Sequence, residues 1–499
     1  MEYKSLPSGL HSVRSDLVYF IHEGYAAVSA FVQEESHEQH RNASFVAVGV
    51  LVPSFGRLGR AWTHAEELTR LAEGLVKTPA GSEDLERFWT EHKLDDAAKG
   101  SDAAPIARRG SLTAGLKRKR GPSDVDAGMK TDVSATHPAL YMPALLDTFG
   151  PLLFPLYRAA LLRKRILLMG GPPVQPQCNA VYILSVLASL PSALGEVLQP
   201  NVEPLFRIHP LYSVGIHDIP SLSSRNDESG WIATTTDDIL GEKHQLYDVL
   251  VDLTSRTKDP RRRWPRIRTS DGRIVKATQR DLRRYRLLRS ELRRTQLARE
   301  RYSNDADGDN DVEVDRDTNA LLGSTTGSKE DGPADVQSDE SEAVESVRWT
   351  AMAYDSFMWW ASAGEQNAVE QEETSADRQL LEDLPDIHEA MPAALRDDVE
   401  EEGALHAQVI ATVLTAYFHR LTSLIIHTLA GIVEEADDET EDGIEEDAIQ
   451  ISADGMRRMG LDAGSEADRA FVHEAVKLYF GRDAVVADGA VRVCGMRVC

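Results

Sequence analysis

Apolar runs and their spacing divide the chain into recognisable elements. LVYFI at 17–21, YAAVSAFV at 25–32 and FVAVGVLV at 45–52 are rich in β-branched and aromatic residues, with Gly24 placed for a tight turn. They predict a β-meander. The period then turns helical through Trp62, Ala65, Leu68, Ala72 and Leu75, with Thr63 and Glu66 spaced as a capping box. From Phe149 to Met169, FGPLLFPLYRAALLRKRILLM joins an apolar helix to an apolar strand. Pro151 and Pro155 suit only its first turn or the residues before it. Arg163, Lys164 and Arg165 mark the helix end, where cations suit the negative pole. NAVYILSVLASL then predicts a buried helix, and LFRIHPLYSVGI, GWIATTT and YDVLVDL predict three strands. Strands alternating with helices imply an α/β layer.

Later stretches follow other patterns. Leu282, Tyr285, Leu288 and Leu292 form one face of an amphipathic helix. VRWTAMAYDSFMWWASAGE at 347–365 needs a partner surface for its aromatics, and 404–433 reads as an apolar helix. His406, Gln408, His419, Arg420 and His427 interrupt it, so it falls short of an uninterrupted span of ~20 apolar residues. Ser465 caps a helix from about Glu466 to Phe480 that aligns Phe471, Ala475 and Tyr479, and Asp488-Gly489 suits a two-residue hairpin.

The resulting organisation is α/β (α+β). Residues 1–94 form a strand-then-helix module of longin-like order, and 95–136 a polar disordered linker. Residues 137–301 form a central α/β module with a basic helical extension, and 302–346 a disordered acidic linker. Residues 347–499 form a mainly helical module with a further acidic insert at about 366–402.

Charge changes the picture. The 499 residues carry 55 Lys and Arg against 81 Asp and Glu, a net charge of −26 that argues against a general nucleic-acid binder. The three cysteines cannot build a disulfide framework and fit a reducing compartment. No apolar secretory core opens the chain, so the expectation is a cytoplasmic protein. Between 256 and 301, 18 basic residues face 5 acidic ones, and between 304 and 346, 14 acidic residues face 2 basic ones. The basic segment has four readings: a nucleic-acid site, an anionic-lipid contact, a solvated face that docks its leucines, or a surface neutralised by the acidic linker folding back. Arg261, Arg262, Arg263, Arg266, Arg283 and Arg284 are its candidate contacts for a partner or lipid surface.

Covalent and cofactor chemistry find little support. Gly170-Gly171 sits between a strand and a helix, but Pro172, Pro173 and Pro176 lack the N–H donors of a phosphate cradle. His37 and His40 lie in a charged loop, Cys494 and Cys499 lack a second ligand pair, and Cys178 suits a buried thiol. No catalytic, metal or cofactor residue is assigned. RRGSL makes Ser111 a candidate phosphosite, and LKRKRG at 116–121 has the form of a nuclear address, which weighs less than a cytoplasmic location.

Several blocks together resemble LCHN-like DENN-domain proteins: HPAL with DTFGPLLFPLYRAALLRKRIL, GWIATTTDDIL, YDVLVDL, RRRWP with KATQRDLRRY, YDSFMWWASAGE and MRRMGLDAGSEADRAFV. The resemblance implies a tripartite fold and guanine-nucleotide exchange on a Rab-type small GTPase in membrane traffic, with the GTPase in a groove between the first two modules. Exchange needs no nucleophile, only tighter binding of the nucleotide-free GTPase. It also implies a peripheral endomembrane location. Two alternatives stay open: a non-exchanging scaffold that keeps the fold, and an RNA-associated or nuclear protein acting through 256–301.

Overall fold

The computed structural model describes residues 2–35, 43–53, 61–78, 82–93, 136–198, 206–224, 230–255, 263–306, 342–346, 368–381, 399–441, 448–486, 492–493 and 496–497. Two compact units emerge, Met1–His137 with Pro172–Gln175, and Pro138–Gly171 with Pro176–Cys499. The fold is mixed α/β.

In the first unit, β1 (Ser15–His22), β2 (Tyr25–Glu35) and β3 (Ala43–Pro53) form the expected antiparallel meander. His22 pairs with Tyr25, and both intervening residues, Glu23 and Gly24, take positive φ, as a two-residue primed turn requires. Helix α1 (Ala65–Lys77) packs on β2 and β3 and buries Ala65, Leu68, Ala72 and Val76. Val76, rather than Leu75, completes the buried face. Thr63 is not the N-cap of the helix: it lies within a 3-10 turn, Ala61–His64, that leads directly into the helix, and His64 takes the cap position. Helix α2 (Ser82–His92) follows. The buried Asp16 carboxylate accepts from the N–H groups of Val174 at 2.6 Å and Gln175 at 3.0 Å. Donors of the turn after Gly170-Gly171 are thus satisfied by the protein itself.

In the second unit, α3 (Met142–Phe149) and a 3-10 turn at Gly150–Leu152 lead into α4 (Leu153–Leu161). Pro151 falls in that turn and Pro155 in the first turn of α4, where a missing N–H costs no helical bond. Strand β4 (Arg165–Met169) and helix α5 (Gln175–Leu187) come next, then β5 (His209–Ser213), β6 (Trp231–Thr235), β7 (Val249–Asp252) and β8 (Arg266–Thr269). The strand order is β5-β6-β4-β7-β8, parallel except for β8. Ile166, Leu167 and Leu168 are fully buried at its centre. Such continuous burial is what a parallel strand covered on both faces requires.

The basic collar after α4 is structural. Arg163 takes φ 56°, and its buried guanidinium donates from Nη1 to the carbonyls of Ala160 at 2.8 Å and Ala188 at 3.0 Å. One side chain therefore satisfies carbonyls at the ends of α4 and α5. Lys164 pairs with Glu474 and Arg165 with Asp248.

Helix α6 (Gln279–Ala306) buries Leu282, Tyr285 and Leu288, while Leu292 is half-buried. Two acidic stretches depart from the expected disorder. Residues 342–346 dock beside Ala277, which donates to Ala343 O at 2.9 Å and accepts from Glu345 N at 2.8 Å, and Val344 is buried. Residues Ala368–Gln379, within the expected acidic insert, form helix α7. Helix α8 (Val399–Glu441) is long and apolar enough to cross a membrane by length and composition over Ala407–Asp438. Its apolar side, including Ile410, Leu414, Tyr417, Phe418, Leu421 and Ile425, is buried in the unit, and Tyr157 bonds Thr422 at 2.5 Å. His419 lies 3.1 Å from Val186 O, and Arg420 donates to Leu380 O at 3.1 Å, so two of the polar interruptions have partners.

Ser465 caps α9 (Glu466–Phe480) as expected, accepting from the N–H of Asp468. The Asp488-Gly489 hairpin lies outside the described residues. The valine-rich run before it, β10 (Ala484–Val486), pairs in parallel with β9 (Ile449–Ile451) instead, and β11 (Arg492–Val493) pairs with β12 (Met496–Arg497). The polar linker (apart from Thr136) and the aromatic block 347–365 also lie outside the described residues.

Arg163→Ala takes the side-chain donor from the buried Ala188 carbonyl, while the Ala160 carbonyl keeps the backbone N–H of residue 163 at 3.1 Å, and is expected to cost about 1–3 kcal/mol. Arg163→Lys, lacking the guanidinium fork, should recover only part of it. Urea unfolding midpoints measure both, and an unchanged midpoint for Arg163→Ala would show the collar to be dispensable.

Candidate functional site around the basic helix

The basic helix begins with a reciprocal cap. Thr278 Oγ1 accepts from Asp281 N at 3.2 Å, and Asp281 Oδ2 accepts from Thr278 N at 3.0 Å, a capping box with Asp in the third position. The same Asp281 carboxylate receives both arms of Arg158 from α4, at 2.9 and 2.7 Å. Arg158 Nη2 also lies 3.3 Å from Asp468 Oδ1, on the first turn of α9. A single buried guanidinium thus joins carboxylates at the N-termini of two helices.

Burial and charge act unequally on the two carboxylates. Desolvation raises the pKa of both, but the Arg158 charge and hydrogen bonds hold Asp281 below the usual carboxylate range. Asp468 is pushed up to about 6, because burial outweighs Arg158 and the Asp281 charge lies nearby. Its other oxygen accepts from Asp462 N at 2.9 Å. Glu345, on the docked segment, accepts from Ser465 Oγ at 3.0 Å and is raised by burial.

One turn along α6, a second cluster forms against α7. Arg284 donates from Nε and Nη2 to Asp377 Oδ1 at 2.9 and 2.8 Å. Arg280 reaches both oxygens of Asp377, and Arg283 pairs with Glu373. Gly460, at φ +75°, leaves room for Arg284: a Cβ there would lie 2.1 Å from Nη2. Before β8, buried Trp264 meets Tyr285 edge-on at 5.9 Å, and the Arg263 guanidinium lies 5.3 Å from the Trp264 ring centroid. Gly150 is required here, because a Cβ would lie 2.1 Å from Trp264 Nε1.

The six candidate contacts are therefore not one surface. Arg284 is 1% exposed and held by Asp377, so it is an interior residue and not a free surface cation. Arg283 is partly buried against Glu373, and Arg263 sits on Trp264 and Tyr285. Arg266 is exposed and pairs with Glu342 at 3.0 Å. Arg261, Arg262 and Ser111 lie outside the described residues. The helix carries its leucines inward, as the docking reading expects. Among the described residues Arg280, Arg283 and Arg284 pair with α7, and Arg266 of the basic segment pairs with Glu342 of the acidic linker, most of which lies outside the described residues.

Arg158, Asp281, Asp377 and Asp468 were not singled out from sequence. The available signals were a lone charge within the apolar run LLFPLYRAALL and the capping spacing in Thr278-x-x-Asp281. For a metal, Glu67, Glu91 and His92 of the first unit offer donor atoms within 4.8 Å of one another, with His92 Nε2 3.3 Å from Glu67 Oε2. Cys178 is buried.

The geometry is that of a mixed α/β protein whose interior charges hold helices together. A family model described as DENN domain-containing protein 11 matches residues 1–262, and one described as a domain of unknown function (DUF4484) matches 344–448 and 439–499. The chain belongs to the DENN domain-containing protein 11 family, as the sequence blocks suggested. The protein of that name from Danio rerio is 32% identical over 253 residues, covering 50% of this chain and 47% of the relative. The one from Rattus norvegicus is 33% identical over 255 residues, covering 50% and 51%. The uncharacterized protein ANR2 of Saccharomyces cerevisiae is 22% identical over 523 residues, covering 98% and 86%. The chain spans about half the length of the DENN domain-containing relatives it matches. No solved structure matches it.

Asp468 gives the site a pH signature. With its pKa raised from 3.8 to about 6, the folded state holds a proton that the unfolded chain has lost, so stability should fall as pH rises between those values. A shift of this size corresponds to about 3 kcal/mol across the window. Denaturant unfolding at a series of pH values should show this slope in the native chain and a flatter one in Asp468→Asn. An equal slope in both would place the proton elsewhere.

Proposed function

We propose that the chain is a DENN-type regulator of Rab-type small GTPases that promotes GDP/GTP exchange in membrane traffic. The observation that carries this reading is the DENN domain-containing protein 11 match across residues 1–262. The longin-like and DENN-module assignments of the two α/β regions rest on the same membership. Exchange requires that the regulator bind the nucleotide-free GTPase more tightly than the GDP-bound form, which a folded surface supplies without covalent chemistry. The buried ion pairs suit such a role by fixing helix positions, so that the surface above them is preorganised.

This reading places the protein in the cytoplasm, acting peripherally at an endomembrane. It favours a protein partner over nucleic acid, since Arg280, Arg283 and Arg284 already have carboxylate partners. The RNA-associated alternative would need those cations for phosphates.

The test is release of fluorescent GDP from a panel of purified Rab-type GTPases, with a chelator as positive control. One or two members should be accelerated roughly tenfold or more, the scale at which barrier lowering stands clear of intrinsic release. A panel that responds to the chelator and not to the protein would overturn exchange and leave a GTPase-binding scaffold, which a pull-down with nucleotide-free GTPases detects.

A further inference from the structure

Helix α7 is held differently from the other helices of its unit. Among its described side chains, Gln371, Glu372, Ser375, Ala376, Arg378 and Gln379 are exposed, and the one that is buried is the charged Asp377. Its attachment to α6 runs through Glu373 and Asp377, four residues apart and so on one helical face, to Arg280, Arg283 and Arg284. Arg420 adds a hydrogen bond to Leu380 O just beyond its end. By contrast, α6 is anchored by buried Leu282, Tyr285 and Leu288. At 12 residues, α7 is also at the length where an isolated helix is marginal, ~12–15 residues.

We propose that the three arginines of α6 form a socket for an acidic helix, that α7 is its displaceable ligand within the same chain, and that an acidic helix of a protein partner, with carboxylates four residues apart, takes its place. The chemistry of the socket makes this an exchange of ligands. Arg280 and Arg284 are buried while α7 is docked, with the Gly460 backbone packed on Arg284, so departure of α7 leaves half-shielded guanidinium groups without their carboxylates. A buried guanidinium without a counter-charge is strongly disfavoured, and another carboxylate pair restores the balance. Salt acts in one direction on this equilibrium. In the closed state the pairs are shielded from ions, and in the open state both sets of charges are exposed to them, so salt favours opening. Covalent attachment gives α7 an effective concentration of about millimolar, so a partner helix must bind well or meet a weakened α7. The inference concerns this chain's own segments and stands whether or not the protein exchanges nucleotide.

The probe is a fluorescent synthetic peptide of residues 368–381, with anisotropy as the readout. The full chain carrying Glu373→Gln and Asp377→Asn should bind it at least about tenfold more tightly than the native chain does, since the competing ligand within the chain is weakened. A peptide carrying the same two substitutions should not bind. Failure of the native peptide to bind a variant that circular dichroism shows to be folded would overturn the socket. If the variant does not fold, amide hydrogen exchange on the native chain decides. The amides of α7 should exchange roughly tenfold or more faster than those around Leu282–Leu288, and faster still at high salt. Equal protection of the two helices, insensitive to salt, would make α7 an ordinary part of the core.

Discussion

The second unit depends on one buried cation. Arg158 lies within an apolar helix, is almost wholly withdrawn from water, and meets Asp281 and Asp468 at the first turns of α6 and α9. An arginine in that position has no neutral form to retreat to at accessible pH, and the surrounding carboxylates favour its charge further. The charge must therefore be matched, and only a specific arrangement of α4, α6 and α9 matches it. Such a pair gives little stability beyond what apolar residues of equal volume would supply, but displacement of either helix leaves the charge unmatched. Its effect is on register. Helix positions that apolar packing would leave adjustable are tied to an ion pair with a fixed fork geometry.

This constraint links stretches that stand far apart in sequence. The FGPLLFPLYRAALLRKRIL block supplies Gly150 to receive Trp264, Arg158 to bind Asp281 and Asp468, and the Leu161 carbonyl that Tyr479 reaches at 2.6 Å. Trp264, Asp281 and Asp468 come from RRRWP, KATQRDLRRY and GSEADRAFV, and Tyr479 from the same helix as Asp468. These blocks of the resemblance thus hold residues that touch one another.

Local rules read well wherever the causes were local. The β-meander, the proline-led α4, the apolar β4 and the Ser465 cap all follow from spacing over fewer than about ten residues, within the reach of capping and periodicity. Long-range charge pairing read less well. Adjacency and opposite net charge made 304–346 the natural partner of the basic segment; its described part meets Arg266 through Glu342, whereas the arginines at the start of α6 meet Glu373 and Asp377. Excess charge ranks segments by attraction at a distance, whereas docking is decided by whether carboxylates recur at the pitch of a helix. The N-cap moved from Thr63 to His64 because a 3-10 turn runs through Thr63 and continues into the helix, which spacing alone does not reveal.

Helix α6 consequently has two interfaces of different physical kind on one element. Its leucine face is held by removal of apolar surface from water, which is insensitive to salt and hard to reverse piecemeal. Its arginine face is held by ion pairs with one short helix, whose strength depends on the charge state and ionic surroundings of the carboxylates. The first interface fixes α6 in the core through Leu282, Tyr285 and Leu288, and the second remains coupled to it because Arg280 directly precedes Asp281 and Arg284 lies about one turn beyond it. A change at the Asp377 pair is thereby felt one turn away, at the Arg158 pair on which α4 and α9 also depend.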